Sequence, residues 1–206
     1  MSLLPQNAHL IFYGGAFDPP HLAHAKLVEI AKKYFPNAFI LVVPTYVPPQ
    51  FAGTQKVPKA PFEDRFAMSK LNFDGNNILI LDTEKYLPQP SYSLRTLLEL
   101  MKQYHPQRLS FLVGDDQLNG LAKWYQAEKL VKIIDFLVVL RQNKSEAELK
   151  AKLPTLVPNL SPKIEILSQP VSEATSTAIR MDQDKHTHWL KPWVAHYIRE
   201  KHLYES

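Results

Sequence analysis

The chain has 206 residues, a length that one α/β domain can fill while burying a substantial core, so nothing in it requires a second domain. Apolar residues make up 45% and charged residues 21%, ordinary usage that excludes a disordered chain and a membrane protein. The absence of cysteine removes disulfides, thiolate metal sites and a cysteine nucleophile, and the net charge of +4 suits an anionic ligand. Lys and Arg are scattered in short pairs such as Lys32-Lys33, which argues for phosphate on a small molecule and against a nucleic-acid partner. No apolar run approaches the ~20 residues of a membrane span, and Met1 to Gln6 lacks the pattern of a signal peptide, so a cytoplasmic protein without a membrane partner is expected.

In chain order, the first buried strand is expected at His9 to Tyr13. It runs into Gly14-Gly15, after which Leu27, Ile30, Ala31, Tyr34 and Phe35 recur at helical spacing. Phe39 to Val43 reads as a second strand. Pro44 to Pro61 holds five prolines and a glycine, too many turn formers for a regular element, and is expected to be a long surface loop. A third strand is expected at Ile78 to Leu81, followed by a helix whose stripe is Leu94, Leu97, Leu98 and Met101. Leu109 to Val113 and Phe136 to Leu140 give two more strands. Four prolines between Lys152 and Pro170 frame a strand at Ile164 to Leu167. A small C-terminal helical region follows over about 171–206, in which Pro192 opens a helix carrying Trp193, Val194, Tyr197 and Ile198 inward. Strands separated by helices predict a doubly wound α/β fold with a mostly parallel sheet, in one domain over 1–206. Ligands in such a sheet bind beyond the carboxyl ends of the strands.

The segment Gly14-Gly15-Ala16-Phe17-Asp18-Pro19-Pro20-His21-Leu22-Ala23-His24 falls where the first strand ends and the first helix starts. Paired glycines remove side chains where a phosphate approaches the backbone, and a helix start supplies amides and the positive end of the dipole. His21 and His24 are three apart and share a helical face, where two imidazoles can donate to one triphosphate. Taken singly, His24 would extend the apolar stripe as a core histidine and His21 would be a surface residue. Their joint occurrence after a strand and two glycines favours phosphate binding. Zinc is a weaker reading, since no third ligand follows nearby.

This segment resembles the GG-x-FDP-x-H-x-GH signature of the nicotinate mononucleotide adenylyltransferases, within the nucleotidyltransferase superfamily. Ala23 replaces the usual glycine, and Ala16 stands where a hydroxyl is common. Further matches run in the family's order: Pro44 to Pro49 resembles the acceptor-phosphate loop, although Gln50-Phe51 replaces a His and a basic residue, with Lys56 as a substitute or a solvated loop lysine. Pro90 to Leu97 resembles S-Y-T-x-x-T-L, with Ser93 also a suitable helix N-cap, and Gly114-Asp115-Asp116 resembles G-x-D. Trp124-Tyr125 matches the aromatic pair and Thr175 to Arg180 the I-S-S-T-x-I-R element, with Ala174 in place of the leading Ile.

The resemblance implies a Rossmann-like nucleotidyltransferase fold that moves AMP from ATP, accompanied by Mg²⁺, to the 5′-phosphate of nicotinate mononucleotide. His21, His24 and Arg180 would be catalytic. Gly14, Gly15, Ala16, Phe17, Gly114, Asp116, Ser176, Thr177 and, near the adenine, Arg141 would contact ATP; Asp18, Thr45, Lys56, Ser93, Trp124 and Tyr125 would contact the acceptor. In this resemblance Arg95 stands where the family has an acidic or neutral residue, and is either a cation that reinforces the field at the nicotinate carboxylate without touching it or a solvent-facing arginine. Competing readings are a transferase acting on nicotinamide mononucleotide or pantetheine phosphate, and a non-catalytic nucleotide sensor. The protein ligands of Mg²⁺ are not legible.

Overall fold

The apolar runs become strands because both of their faces are covered. Along the first strand Leu10 and Phe12 enter one core while Ile11 and Tyr13 enter another, so every position is apolar instead of every second one. The structure is a computed structural model describing residues 4–5, 7–49, 57–140, 145–156, 159–169, 171 and 173–205. Its strands are β1 (His9–Gly15), β2 (Phe39–Pro44), β3 (Ile78–Ile80), β4 (Arg108–Gly114), β5 (Asp135–Val139) and β6 (Lys163–Leu167). They form one sheet in the order β3-β2-β1-β4-β5-β6, and every pairing among them is parallel. The order reverses between β1 and β4, which opens a crevice above their carboxyl ends.

The helices are α1 (Leu22–Tyr34), α2 (Phe62–Asn72), α3 (Ser93–Tyr104), α4 (Ala127–Ile133), α5 (Glu146–Leu156), α6 (Ser176–Met181), α7 (Gln183–His186) and α8 (Pro192–Glu200). Leu27, Val28, Ile30 and Ala31 of α1 pack on one face of the sheet, while Leu94, Leu97 and Leu100 of α3 pack on the other with Leu130 of α4 and Leu149 of α5. A third cluster, made of Ala60, Met68, Ile179, Leu190, Val194, Ala195 and Ile198, joins α6 and α8 to α2. No helix among the described residues is long and apolar enough to cross a membrane.

Several sequence expectations are corrected by packing. β1 runs two residues further than Tyr13, so Gly14 and Gly15 belong to the strand and not to the turn after it. The buried stripe of α3 is Leu94, Leu97 and Leu100; Leu98 is exposed and Met101 only borders the core, because the sheet meets this helix slightly to one side of the predicted face. Tyr34 and Trp193 are exposed as well, whereas α8 buries Val194 and Ile198 as expected together with Ala195. α5 continues through Pro154, the first of the four prolines that precede and follow β6.

At the amino end of the sheet a polar ladder crosses β1, β4, β5 and β6. The His9 ring bonds the Ser110 hydroxyl at 2.9 Å and packs edge-on against Phe35. Arg108 donates to Asp135 and Glu165, both at 3.0 Å, and lies over the same Phe35 ring. Burial, aided by the Arg108 charge, lowers the His9 imidazole to about 4, against the opposing pull of Glu165 and Asp135. A histidine whose pKa falls on folding binds its proton more tightly in the unfolded chain. Its contribution is therefore complete above the unfolded value and is lost as pH drops from about 6.5 towards 4. Thermal melts over that window should show the wild type losing more of its midpoint than His9→Gln; parallel curves for the two would refute the assignment.

Candidate active site

The cleft over the carboxyl ends of β1 and β4 has a volume of about 640 Å³, and it is built from two walls. The first wall starts where β1 ends. A Cβ on Gly14 would come within 2.6 Å of the Phe12 ring, and one on Gly15 within 3.0 Å of Phe17, so aromatic packing beneath the strand end demands glycine in addition to any approaching phosphate. Ala16 is exposed to the cleft. Phe17 adopts the left-handed conformation at φ 47°, disfavoured for a residue with a Cβ, and is held there by a buried ring that packs on Tyr13, Phe73 and His24.

His21 is the N-cap of α1 and His24 sits one turn in. Their rings stack at 3.7 Å and the His21 backbone N–H donates to His24 Nδ1 at 3.2 Å. With Nδ1 accepting, the neutral His24 ring carries its proton on Nε2, where it is a donor. Both rings line the cleft, His21 at 2% exposure and His24 half-buried. The pair is therefore brought together as the spacing suggested, with the addition that His24 also caps its own helix.

Asp18 also has a structural part in the site. It lines the cleft but is 4% exposed, and its carboxylate accepts from the Lys59 N–H at 2.7 Å, the Ala60 N–H at 3.0 Å and the Tyr204 hydroxyl at 2.8 Å. These donors explain the burial of a charge and tie the turn to the end of the proline-rich loop. Arg180, on α6, donates to the Asp18 carbonyl and stands 3.5 Å from its carboxylate. Thr175 caps α6 by accepting from the Ala178 N–H, and the Ser176 hydroxyl donates to the Pro19 carbonyl at 2.9 Å. Thr175, Ser176, Thr177 and Arg180 thus face the histidines across the same cleft.

The second wall comes from β4 and α3. Gly114 ends β4, and a run of 3₁₀ turns over Asp115–Lys123 leads to Trp124. Asp116 is exposed at the cleft and accepts from Gln117, whereas Asp115 is buried. Trp124 is half-buried, its ring resting on Phe111, and also lines the cleft. Tyr125 stacks on Tyr92 at 4.2 Å. Ser93 is not the N-cap of α3: Tyr92 takes that position, and Ser93 is the first helical residue, facing the cleft with Leu94. The hydroxyl that fixes this entry is Ser91, which accepts from the Val47 N–H at 3.1 Å. Arg95 is half-buried and lies beside the cleft lining, not in it. Its guanidinium donates to the Pro88 and Pro90 carbonyls and lies over both the Tyr92 and Tyr125 rings, which bonds the loop before α3 to the aromatic wall.

Two buried charges beneath the site had no signature in the sequence. Arg65 is 2% exposed and donates to the carbonyls of Ala60, Ala16, Thr45 and Tyr46, joining the turn after β1 to the loop after β2. Burial pulls its guanidinium below the ordinary value, opposed chiefly by Asp18. Glu84 accepts from the Tyr46 N–H at 3.1 Å and the Thr96 hydroxyl at 2.9 Å, and burial pushes its carboxyl up. Charged residues in helical and turn segments read as solvated faces, and periodicity carries no sign that a backbone loop will close over them. Thr45 also lines the cleft, its N–H donating to the Gly15 carbonyl. Lys56, Gln50, Phe51 and Arg141 lie outside the described residues. Among the described residues no group of three His, Asp or Glu side chains is placed to hold a metal ion.

The model of the cytidylyltransferase-like family matches residues 12–189. A protein of Synechococcus sp. (strain JA-3-3Ab) named a probable nicotinate-nucleotide adenylyltransferase is 32% identical, the match covering 97% of this chain and 96% of that one. A protein of the same name from Caldicellulosiruptor bescii is 30% identical over 94% of this chain and 97% of its own. Among solved structures, Plasmodium falciparum nicotinic acid mononucleotide adenylyltransferase complexed with NaAD superposes with a TM-score of 0.70 at 22% identity, covering 96% of this chain and 97% of that chain, a likeness of fold. With that fold, and with relatives matched along nearly its full length, the chain belongs to the nicotinate-nucleotide adenylyltransferases of the cytidylyltransferase-like family.

Proposed function

We propose that the chain transfers AMP from ATP to the 5′-phosphate of nicotinate mononucleotide, releasing pyrophosphate and forming deamido-NAD. The observation that carries this reading is the pairing of the two walls at the β1/β4 switch point: a phosphate cradle on one side and an aromatic wall beside a helix start on the other. An acceptor with a phosphate at one end and a flat anionic ring at the other spans such a cleft. Family membership, stated above, supports the same assignment.

In this reading an oxygen of the acceptor phosphate attacks the α-phosphorus of ATP, and the bond from that phosphorus to the oxygen bridging to the β-phosphate breaks. A phosphomonoester with a second pKa of roughly 6 is already largely dianionic near neutral pH, so no residue needs to remove a proton. The enzyme then has to align the two groups and stabilise charge that develops on the leaving pyrophosphate. His24, with its Nε2 proton, and its stacked partner His21 supply donors on one side; Arg180 supplies a cation on the other, with Ser176 and Thr177 at the α6 start. Gly14 to Phe17 contribute backbone to the same phosphates. Gly114 and Asp116 lie towards the nucleoside of ATP. Trp124 offers a ring to the pyridine, and Ser93, Tyr125 and the amides of the first α3 turn meet the carboxylate. Thr45 lies at the acceptor phosphate, and Asp18 acts on it indirectly, by holding Lys59 and Ala60. Mg²⁺ would arrive with ATP and supply charge neutralisation on its phosphates; Asp116, an exposed carboxylate of the cleft, would be the side chain to support it.

Pyrophosphate release in the presence of ATP and a panel of phosphorylated acceptors tests the assignment. Nicotinate mononucleotide should exceed nicotinamide mononucleotide in kcat/KM by at least ~100-fold, about 2.7 kcal/mol, because helix-start amides are donors that favour a carboxylate over a neutral amide. A preference for the amide would overturn the acceptor.

His24→Ala should lower kcat by roughly two orders of magnitude or more while the folded protein retains its circular dichroism, the usual consequence of losing one preorganised donor. Turnover near that of the wild type would remove His24 from the chemistry, and an unfolded variant would make it a core residue.

Trp124→Leu retains apolar volume over Phe111 but removes the stacking ring. It should raise KM for the pyridine nucleotide several-fold, in line with about 0.5–1.5 kcal/mol for an aromatic pair, and leave KM for ATP nearly unchanged. Equal increases for both substrates would make the tryptophan a packing residue only.

A further inference from the structure

We propose that Tyr204, in the turn beyond α8, is a positioning residue that keeps Arg180 available to phosphate by holding Asp18. The inference rests on the adenylyl-transfer reading above, in which Arg180 stabilises the leaving pyrophosphate.

The Tyr204 hydroxyl donates to Asp18 Oδ1 at 2.8 Å, across 186 residues of chain. The same oxygen accepts from the Ala60 N–H at 3.0 Å, and Oδ2 accepts from the Lys59 N–H at 2.7 Å. Arg180 Nη1 meanwhile donates to the Asp18 backbone carbonyl and stands 3.5 Å from Oδ2, so the two side chains touch without forming a paired fork. A carboxylate beside a guanidinium gains most by turning both oxygens to it, and the bidentate pair so formed is hard to break. Tyr204 and the two amides hold both oxygens elsewhere. The hydroxyl is suited to this because burial, followed by the Asp18 charge, raises its pKa, so it remains a neutral donor. A lysine in its place would add a cation beside Arg180.

The segment that carries the ring is built to keep it there. His202 and Tyr204 both adopt left-handed backbone, at φ 51° and 66°, although neither is glycine. The Leu203 N–H donates to the Ile198 carbonyl at 3.0 Å and its carbonyl accepts from Gln183 at 3.0 Å, while its side chain packs on the third apolar cluster. Backbone conformations of this kind persist where surrounding contacts determine them. The region that packs on α2 thereby also acts on the phosphate cradle.

The test is a double-mutant cycle with Tyr204→Phe and Arg180→Ala, assayed well below the melting midpoint of each variant. Tyr204→Phe keeps the ring and removes the donor. It should lower kcat roughly tenfold, the equivalent of one ordinary hydrogen bond, with KM for nicotinate mononucleotide unchanged. In the Arg180→Ala background the same substitution should cost less than about twofold, because its effect runs through Arg180. An unaltered kcat in Tyr204→Phe, or the same tenfold loss with and without Arg180, would overturn the role of Tyr204 and leave the adenylyl-transfer assignment standing. A wild type that releases no pyrophosphate from ATP and nicotinate mononucleotide would defeat both.

Discussion

A buried carboxylate must be surrounded by donors or it neutralises, and at Asp18 that requirement organises the site. Its donors come from places far apart in the chain, two backbone amides at the end of the proline-rich loop and a tyrosine beyond the last helix, and an arginine of α6 stands beside it as a neighbouring cation. Satisfying one side chain of the turn after β1 therefore draws the loop, the C-terminal helices and the phosphate cradle into a single arrangement. Arg65 performs the complementary task from below. Its guanidinium is spread over four backbone carbonyls, so the loops after β1 and β2 have their acceptors met by a residue of α2.

The two walls of the cleft differ in the physics that holds them. The cradle is polar and relies on hydrogen bonds with fixed direction, which suits a charge that moves from one oxygen to another during reaction. The opposite wall is built of rings: Trp124 rests on Phe111, and Tyr92 stacks on Tyr125 beneath the Arg95 guanidinium. Arg95 belongs to that wall: its guanidinium donates to two carbonyls and lies over two ring faces, which gives it a bracing role.

The histidine pair illustrates how local structure and chemistry share a residue. His24 accepts the His21 N–H at the first turn of α1, which satisfies a backbone donor that the helix leaves over and also fixes the ring's tautomer. One bond thus serves stability and places the proton of the neutral ring on Nε2. The left-handed Phe17 nearby follows the same economy, since the ring that fills the core under α1 also sets the path of the backbone that lines the cleft.

Much of this was legible in the sequence because it is written in local patterns. Six apolar runs gave the strands, their separation by helical stripes gave a parallel doubly wound sheet, and the glycine-histidine segment at the first strand-to-helix junction marked one wall of the cleft. Periodicity could not say which flank of α3 meets the sheet, so Leu98 was expected inside and Leu100 was overlooked. It could not say that Trp193 faces outward, because α8 packs on α2 and not on the sheet. The burial of Arg65 and Glu84, the engagement of Asp18 and its bond to Tyr204 lie still further from its reach. Spacing along a chain reports the period of an element, whereas the partners of a buried charge are set by which segments the completed sheet brings together in space.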